Sequence, residues 1–319
     1  MEEPGQTDAT LFLQRFLLTF RFLSQGAIAE NWGPTLRGGF GLALRRTCCP
    51  FGREDCQGCS LGLRCAYAYL FETPIFADTA IMRKYREAPH PFVFEPPPPG
   101  TKHVKAGDTA VVGLVLVGKA VDMLPYIYVA LDELGRHGLG RDRVPFQLER
   151  ITTEQGHPVW DRSQSRRFSI PDYIRLNLDP GPDRQAVFTL EFQSPTRVVV
   201  QGKLTKSPEL IDIVKTLVRR VFLLRYFHCG GCIEPLSTAF LEAAASARLI
   251  RSELSWQDWE RFSGRQKRRI PIGGLVGRVV FQGDLGRLRP LLAAGEFVHV
   301  GKNTTFGLGK FRIYEGEGS

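Results

Sequence analysis

Long apolar runs are missing from this sequence. Leu11–Leu23 is interrupted by Arg15, Thr19 and Arg21, and Val111–Val117 is far too short to span a bilayer, so no membrane helix or membrane partner is expected. The opening residues, MEEPGQTDAT, are acidic and polar and lack the basic start and cleavage pattern of a secretory signal. The expected setting is therefore cytoplasmic, where the sequon at Asn303 has no meaning. A Walker phosphate loop is also absent, since G-x-x-x-x-G-K-[ST] does not occur. The string RGGFG at 37–41 resembles an RNA-recognition signature only superficially. That signature needs a strand, whereas Pro34 and the spacing of Leu36, Phe40, Ala43 and Leu44 place these residues on a helix.

What is present is a chain of 319 residues with 43% apolar residues, enough for two globular domains. The net charge of +9 and pI near 9.3 favour an acidic partner, nucleic acid ahead of a membrane surface.

Periodicity supplies the elements. Phe16, Leu18, Phe20 and Phe22 alternate with Arg15, Leu17, Thr19 and Arg21 as a first strand, and a helix follows from Gly33-Pro34. Its glycines, Gly38, Gly39 and Gly41, each cost about 1 kcal/mol relative to Ala, so close packing or approach to a ligand must offset them. Pro89–Gly100 (PHPFVFEPPPPG) reads as an extended surface segment. Thr109–Val117 is a buried strand, Val121–Arg136 a helix and Val144–Thr152 a strand, giving a ferredoxin-like skeleton. Polar, glycine- and proline-punctuated residues 155–183, broken by a short strand at Tyr173–Leu178, separate this from a second unit. That unit has strands at Ala186–Phe192, Arg197–Leu204 and Leu275–Phe281. Its helices start at Ser207-Pro208-Glu209 and cover Ala239–Arg251 and Leu285–Ala294. The expected fold class is α+β: tandem ferredoxin-like (RRM-like) domains at 1–165 and 166–319, with a small four-cysteine metal-binding insertion at 47–66 in the first.

Near the end lies FVHVGKNTTFGLGKFRIY, Phe297–Tyr314, read as a strand hairpin around a glycine-rich loop at 301–310. Gly301, Gly307 and Gly309 permit close approach of backbone N–H groups to a ligand. Lys302, Lys310, Asn303, Thr304 and Thr305 add charge and donors, a plausible cradle for a phosphodiester backbone.

Seven cysteines fall into two groups, Cys48–Cys65 and Cys229–Cys232. Without an export signal such clustering points to metal rather than disulfides. Cys56-x2-Cys59-x5-Cys65, completed by Cys48 or Cys49, suits a closed structural site, zinc ahead of an iron–sulfur cluster. Cys229-x2-Cys232 is only half a site and reads as a turn with two ordinary thiols.

Arg37, Arg45 and Arg46 flank the glycine-rich helix and are candidates for clamping phosphates. RFSGRQKRR at 261–269 puts Arg265, Lys267, Arg268 and Arg269 beside Trp256, Trp259 and Phe262, the pairing of cations and aromatics that RNA-binding surfaces use. Among the six histidines, His299 is the favoured proton-transfer group, two residues before the glycine loop and close to Lys302. His90, between two prolines, reads as a structural contact, and His228 stands at a helix end. Tyr67 and Tyr69 read as core.

In order along the chain come LRGGFGLALRRTCC, the cysteine knuckle, CAYAYLFETP and PHPFVFEPPPPG. WQDWERFSGRQKRRIPIGGLVGRVVFQGDLGRL and HVGKNTTFGLGKFRIY follow. The chain resembles the CRISPR precursor-RNA processing endoribonucleases of the RAMP superfamily, in the branch with a cysteine-rich insertion after the first helix. The resemblance implies repeat RNA held on a basic face, with possible association with other CRISPR effector subunits. It implies metal-independent cleavage by a 2′-hydroxyl, giving a 2′,3′-cyclic phosphate and a 5′-hydroxyl. It selects Cys49, with Cys56, Cys59 and Cys65, as the zinc ligands. One departure matters: no histidine precedes His90, although many relatives carry the catalytic histidine at the first helix. The site expected from residues and resemblance together is His299, Arg37 and Lys302. The alternative is a non-catalytic RNA-binding subunit; a zinc-stapled DNA-binding regulator is a third possibility.

Overall fold

The computed structural model describes residues 9–52, 56, 58–75, 79–82, 85–100, 103–164, 167–230, 233–263 and 268–316. They form two compact units, one of Phe12–Ile174 with Phe227–Cys229, the other of Arg175–Tyr226 and Gly230 onward with the residues up to Leu11.

In the N-terminal unit β1 (Thr10–Phe22) is followed by α1 (Trp32–Cys48), β2 (Phe92–Glu95), β3 (Thr109–Val117), α2 (Leu124–His137), β4 (Phe146–Thr153) and β5 (Pro158–Asp161). The antiparallel sheet runs β2-β3-β1-β4-β5. Its first four strands have the order of a ferredoxin-like βαββαβ unit. Alternation in β1 buries Phe16, Leu18, Phe20 and Phe22 on one face. Arg15 and Arg21 stand on the other, where Arg15 pairs with Glu95 at 2.7 Å. Asn31 caps α1 by accepting from the Gly33 N–H, and Arg45 and Arg46 in its last turn suit the negative end of the helix dipole. Gly39 lets α1 lie close to Leu134 of α2.

The proline-rich stretch departs from expectation. Phe92–Glu95 is a fully buried edge strand paired with Gly113–Leu116. Its prolines flank the strand and so remove no ladder hydrogen bond.

A short strand, β6 (Ile174–Asn177), precedes the C-terminal unit. There β7 (Gln185–Thr196), α3 (Leu210–His228), α4 (Ala239–Ser246), β8 (Arg248–Gln257), β9 (Glu260–Ser263), β10 (Arg268–Pro271), β11 (Gly274–Asp284), α5 (Leu285–Val298) and β12 (Phe311–Glu315) follow. The main sheet runs β8-β11-β7-β12, repeating the ferredoxin-like order, while β9 and β10 form a separate hairpin. Phe188, Leu190, Phe192, Phe281 and Phe311 are buried, and α5 packs on β7 and β12. On the opposite face Glu253, Arg278, Glu191 and Arg312 stand in register across all four strands. Arg278 donates to Glu191 at 2.9 Å.

Three local expectations change. Arg197–Leu204 is a tight hairpin, Val199–Val200 against Lys203–Leu204, turning through Gln201 (φ 48°) and Gly202 (φ 81°). The helix expected to reach Arg251 stops at Ser246, because Arg248–Gln257 pairs with β11. Phe297 and Val298 finish α5, so the glycine-rich stretch joins a helix to a strand. Four alternating residues are too few to separate a strand from a helix end.

Candidate functional site

Arg37 lies on α1, half-buried, with its guanidinium carbon 3.9 Å from the centre of the Phe71 ring. Phe71 sits in a π-helical turn, Ala68–Glu72, that ends in Thr73 at φ 45°. A β-branched residue in the left-handed region is strained, and both features concentrate at functional sites. The strained residue points its hydroxyl at a histidine: Thr73 Oγ1 is 2.6 Å from His90 Nδ1, and His90 Nε2 is 3.3 Å from Arg37 Nη2. A guanidinium only donates, so Nε2 accepts and Nδ1 carries the proton that Thr73 receives. The His90 ring stacks between Phe71 and Phe92 at 6.3 and 6.0 Å. Gly38, exposed and with nothing within 4 Å of where its Cβ would stand, leaves open space beside Arg37.

Arg45 and Arg46 occupy the last turn of α1, Arg45 half-buried and Arg46 exposed. Tyr67 and Tyr69 are core residues, as expected, and burial pushes both phenols up. His228 is buried, its two ring nitrogens bonded to Tyr69 Oη (3.1 Å) and the Pro89 carbonyl (2.8 Å).

In the knuckle the Cys59 N–H bonds the Cys56 carbonyl at 3.2 Å and the Gly62 N–H bonds the Cys59 carbonyl at 3.0 Å. Cys48, Cys49, Cys56, Cys59 and Cys65 are half-buried. Burial, then the charges of Glu72, Cys65, Cys49 and Cys59, push the Cys56 thiol up to about 11. The donors have zinc chemistry, yet among the described residues no three His, Cys, Asp or Glu side chains are gathered as metal ligands. Cys232 lies outside the described residues, as do Arg265 and Lys267 of the basic run.

The glycine-rich connection does not form an open cradle. The N–H of Gly307 bonds the Thr304 carbonyl (2.9 Å), that of Gly309 the Pro195 carbonyl (3.1 Å), that of Lys302 the Arg197 carbonyl (3.1 Å) and that of Lys310 the Ser194 hydroxyl (2.9 Å). Thr304, Thr305, Gly307 and Gly309 are buried, and a Cβ on Gly301 would stand 2.4 Å from the Arg197 carbonyl oxygen. These glycines serve close packing, and their left-handed backbone turns the chain onto the end of β7. Lys302 is exposed, and Asn303 and Lys310 are half-buried.

His299 is 0% exposed, and its Nδ1 donates to the Leu308 carbonyl at 3.1 Å. With φ 61° it closes α5 by a bond from its own N–H to the Gly295 carbonyl. It therefore braces the connection, and no substrate reaches it in this conformation.

The β9–β10 hairpin packs on the same connection. Ile272, Phe306 and Leu308 form a small core with Trp259, and Arg261 lies over Phe306 at 5.1 Å. Burial lowers the Arg261 and Arg197 guanidinium groups from their ordinary range. Arg268 and Arg269 are exposed on β10. The structure thus places Lys302, Arg268 and Arg269 on the surface of the C-terminal unit, and Arg37 beside His90 in the N-terminal unit. His90 carried one signal in sequence: it stands two residues before a buried aromatic strand.

Residues 190–311 match the family model described as CRISPR-associated endoribonuclease Cas6, and residues 11–171 match the one described as the AF_1859_N N-terminal domain. No curated protein matches the sequence. Among solved structures, Thermus thermophilus Cas6 is 16% identical with a TM-score of 0.54, over 95% of this chain and 99% of that one. A Cas6 product complex is 20% identical with a TM-score of 0.53, over 95% and 99%. A partial Cas6-RT-Cas1–Cas2 complex is 14% identical with a TM-score of 0.54, over 96% of this chain but 46% of that one, so the chain spans about half of that relative. At such identities the likeness shows the fold. Among the described residues no helix is long and apolar enough to cross a membrane.

Proposed function

We propose that this chain, whose residues 190–311 match the Cas6 family model, is a CRISPR-associated endoribonuclease that binds CRISPR repeat RNA in the precursor transcript and cuts it in the cytoplasm. The observation that carries this reading is the Cas6 match itself. It takes in the β9–β10 hairpin, with exposed Arg268 and Arg269, and the connection that presents Lys302. Phosphate contacts from such cations supply affinity by releasing counterions. Other CRISPR proteins are the expected further partners.

Cleavage in this proposal runs through the ribose. A 2′-hydroxyl attacks the adjacent phosphorus, leaving a 2′,3′-cyclic phosphate and a 5′-hydroxyl. The step needs a proton acceptor, a proton donor and cations for the developing charge. A zinc ion on Cys49, Cys56, Cys59 and Cys65 would gather the insertion and stabilise it, taking no part in the reaction.

The test uses purified protein and labelled repeat RNA in EDTA, beside the same RNA with hydrogen in place of the scissile 2′-hydroxyl. Cleavage of the first RNA alone supports the reading. Tight binding without product overturns it in favour of a subunit that only holds RNA.

A further inference from the structure

With His299 sealed in the C-terminal unit, proton transfer needs another group. Within the N-terminal unit His90 has what the chemistry requires. It is half-buried, it is aimed by Thr73 through Nδ1, and its Nε2 is an acceptor next to a cation. The 3.3 Å contact to Arg37 is long for a hydrogen bond and is readily exchanged for a substrate hydroxyl. Phe71 holds the guanidinium from below at 3.9 Å, and the exposed Gly38 backbone gives a strand room to approach.

We propose that His90 is the catalytic residue that moves the proton during RNA cleavage, with Arg37 stabilising the charged phosphate and Thr73 acting as a positioning residue. The inference rests on the RNA-cleavage reading above. His90 Nε2 takes the proton from the ribose 2′-hydroxyl while O2′ forms its bond to phosphorus. The P–O5′ bond breaks, and the proton passes from the imidazolium to O5′. Protein and proton count return to their starting state, and the products are the 2′,3′-cyclic phosphate and the 5′-hydroxyl. Arg37 leaves Nε2 for the non-bridging phosphate oxygens as negative charge builds there.

The experiment compares full-length wild type, H90A, H90Q, T73V and T73S on labelled repeat RNA, measuring cleavage rate and RNA affinity separately, with and without added imidazole. H90A and H90Q are expected to cut at least ~100-fold more slowly with affinity unchanged, imidazole restoring part of the H90A rate. T73V is expected to lower kcat without changing KM, and T73S to recover it. Wild-type rates in H90A or H90Q overturn the proposal. So does an H90A that loses RNA affinity and ignores imidazole, since His90 is then structural. A wild-type protein that binds without cutting removes the parent reading instead.

Discussion

Gly41 and Phe71 compete for one position: a Cβ on Gly41 would stand 2.1 Å from Cζ of Phe71. The missing side chain lets the ring lie against α1, where it supports Arg37. Gly41→Ala gains about 1 kcal/mol of helix propensity but overpacks the site, which costs about 1–3 kcal/mol. It is expected to lower Tm by a few degrees and to slow cleavage. Gly38→Ala meets nothing within 4 Å, so its Tm should rise. Thermal unfolding of the two variants side by side checks the contrast.

The glycine-rich connection separates fold from binding. Gly309 has φ 74°, and a Cβ there would stand 1.9 Å from the Val300 carbonyl oxygen, so Gly309→Ala should sharply reduce soluble folded protein. Lys302→Ala should fold normally. Its RNA affinity should fall, and the slope of log affinity against log salt should flatten by about 0.7. A filter-binding titration at several salt concentrations reads this.

The open face of the C-terminal sheet makes stability depend on acid. The hydrogen bond from Arg278, with a further one from Tyr314, outweighs burial and holds the Glu191 carboxyl below its ordinary value. A depressed carboxylate contributes stability that is complete above the unfolded value of about 4.3 and is lost as pH falls through the folded one. Glu191→Gln should therefore be less stable than wild type at pH 7, and the gap should close towards pH 3. Chemical denaturation across that range measures it.

Metal analysis tests the knuckle. Protein produced with zinc present is expected to carry it stoichiometrically, and the Cys56→Ser/Cys59→Ser variant to lose both zinc and several degrees of Tm. Unchanged stability with no bound metal would remove the structural zinc from the proposal.

What the sequence displayed and what it hid divide along physical lines. The alternation of Phe16, Leu18, Phe20 and Phe22 names a half-buried strand because the pattern spans enough residues, and Thr109–Val117 is bounded as read. Phe92–Glu95 and Arg248–Gln257 were hidden because each becomes a strand only through its neighbour, β3 and β11. Gly301, Gly307 and Gly309 announce tight backbone, but composition cannot say whether a ligand or another stretch of chain fills the space. His299 looked reactive from the company it keeps in sequence, while the partners of His90 come from positions 37, 71, 73 and 92.

Because the N–H groups of Gly307, Gly309, Lys302 and Lys310 are already committed to their own chain, that connection is a rigid frame. Under the proposed function, recognition of a drifting repeat sequence would evolve through the side chains standing outside it, such as Lys302 and the arginines of β10. Orthologues serving different repeats should accordingly vary at those exposed positions while keeping the small residues beneath them.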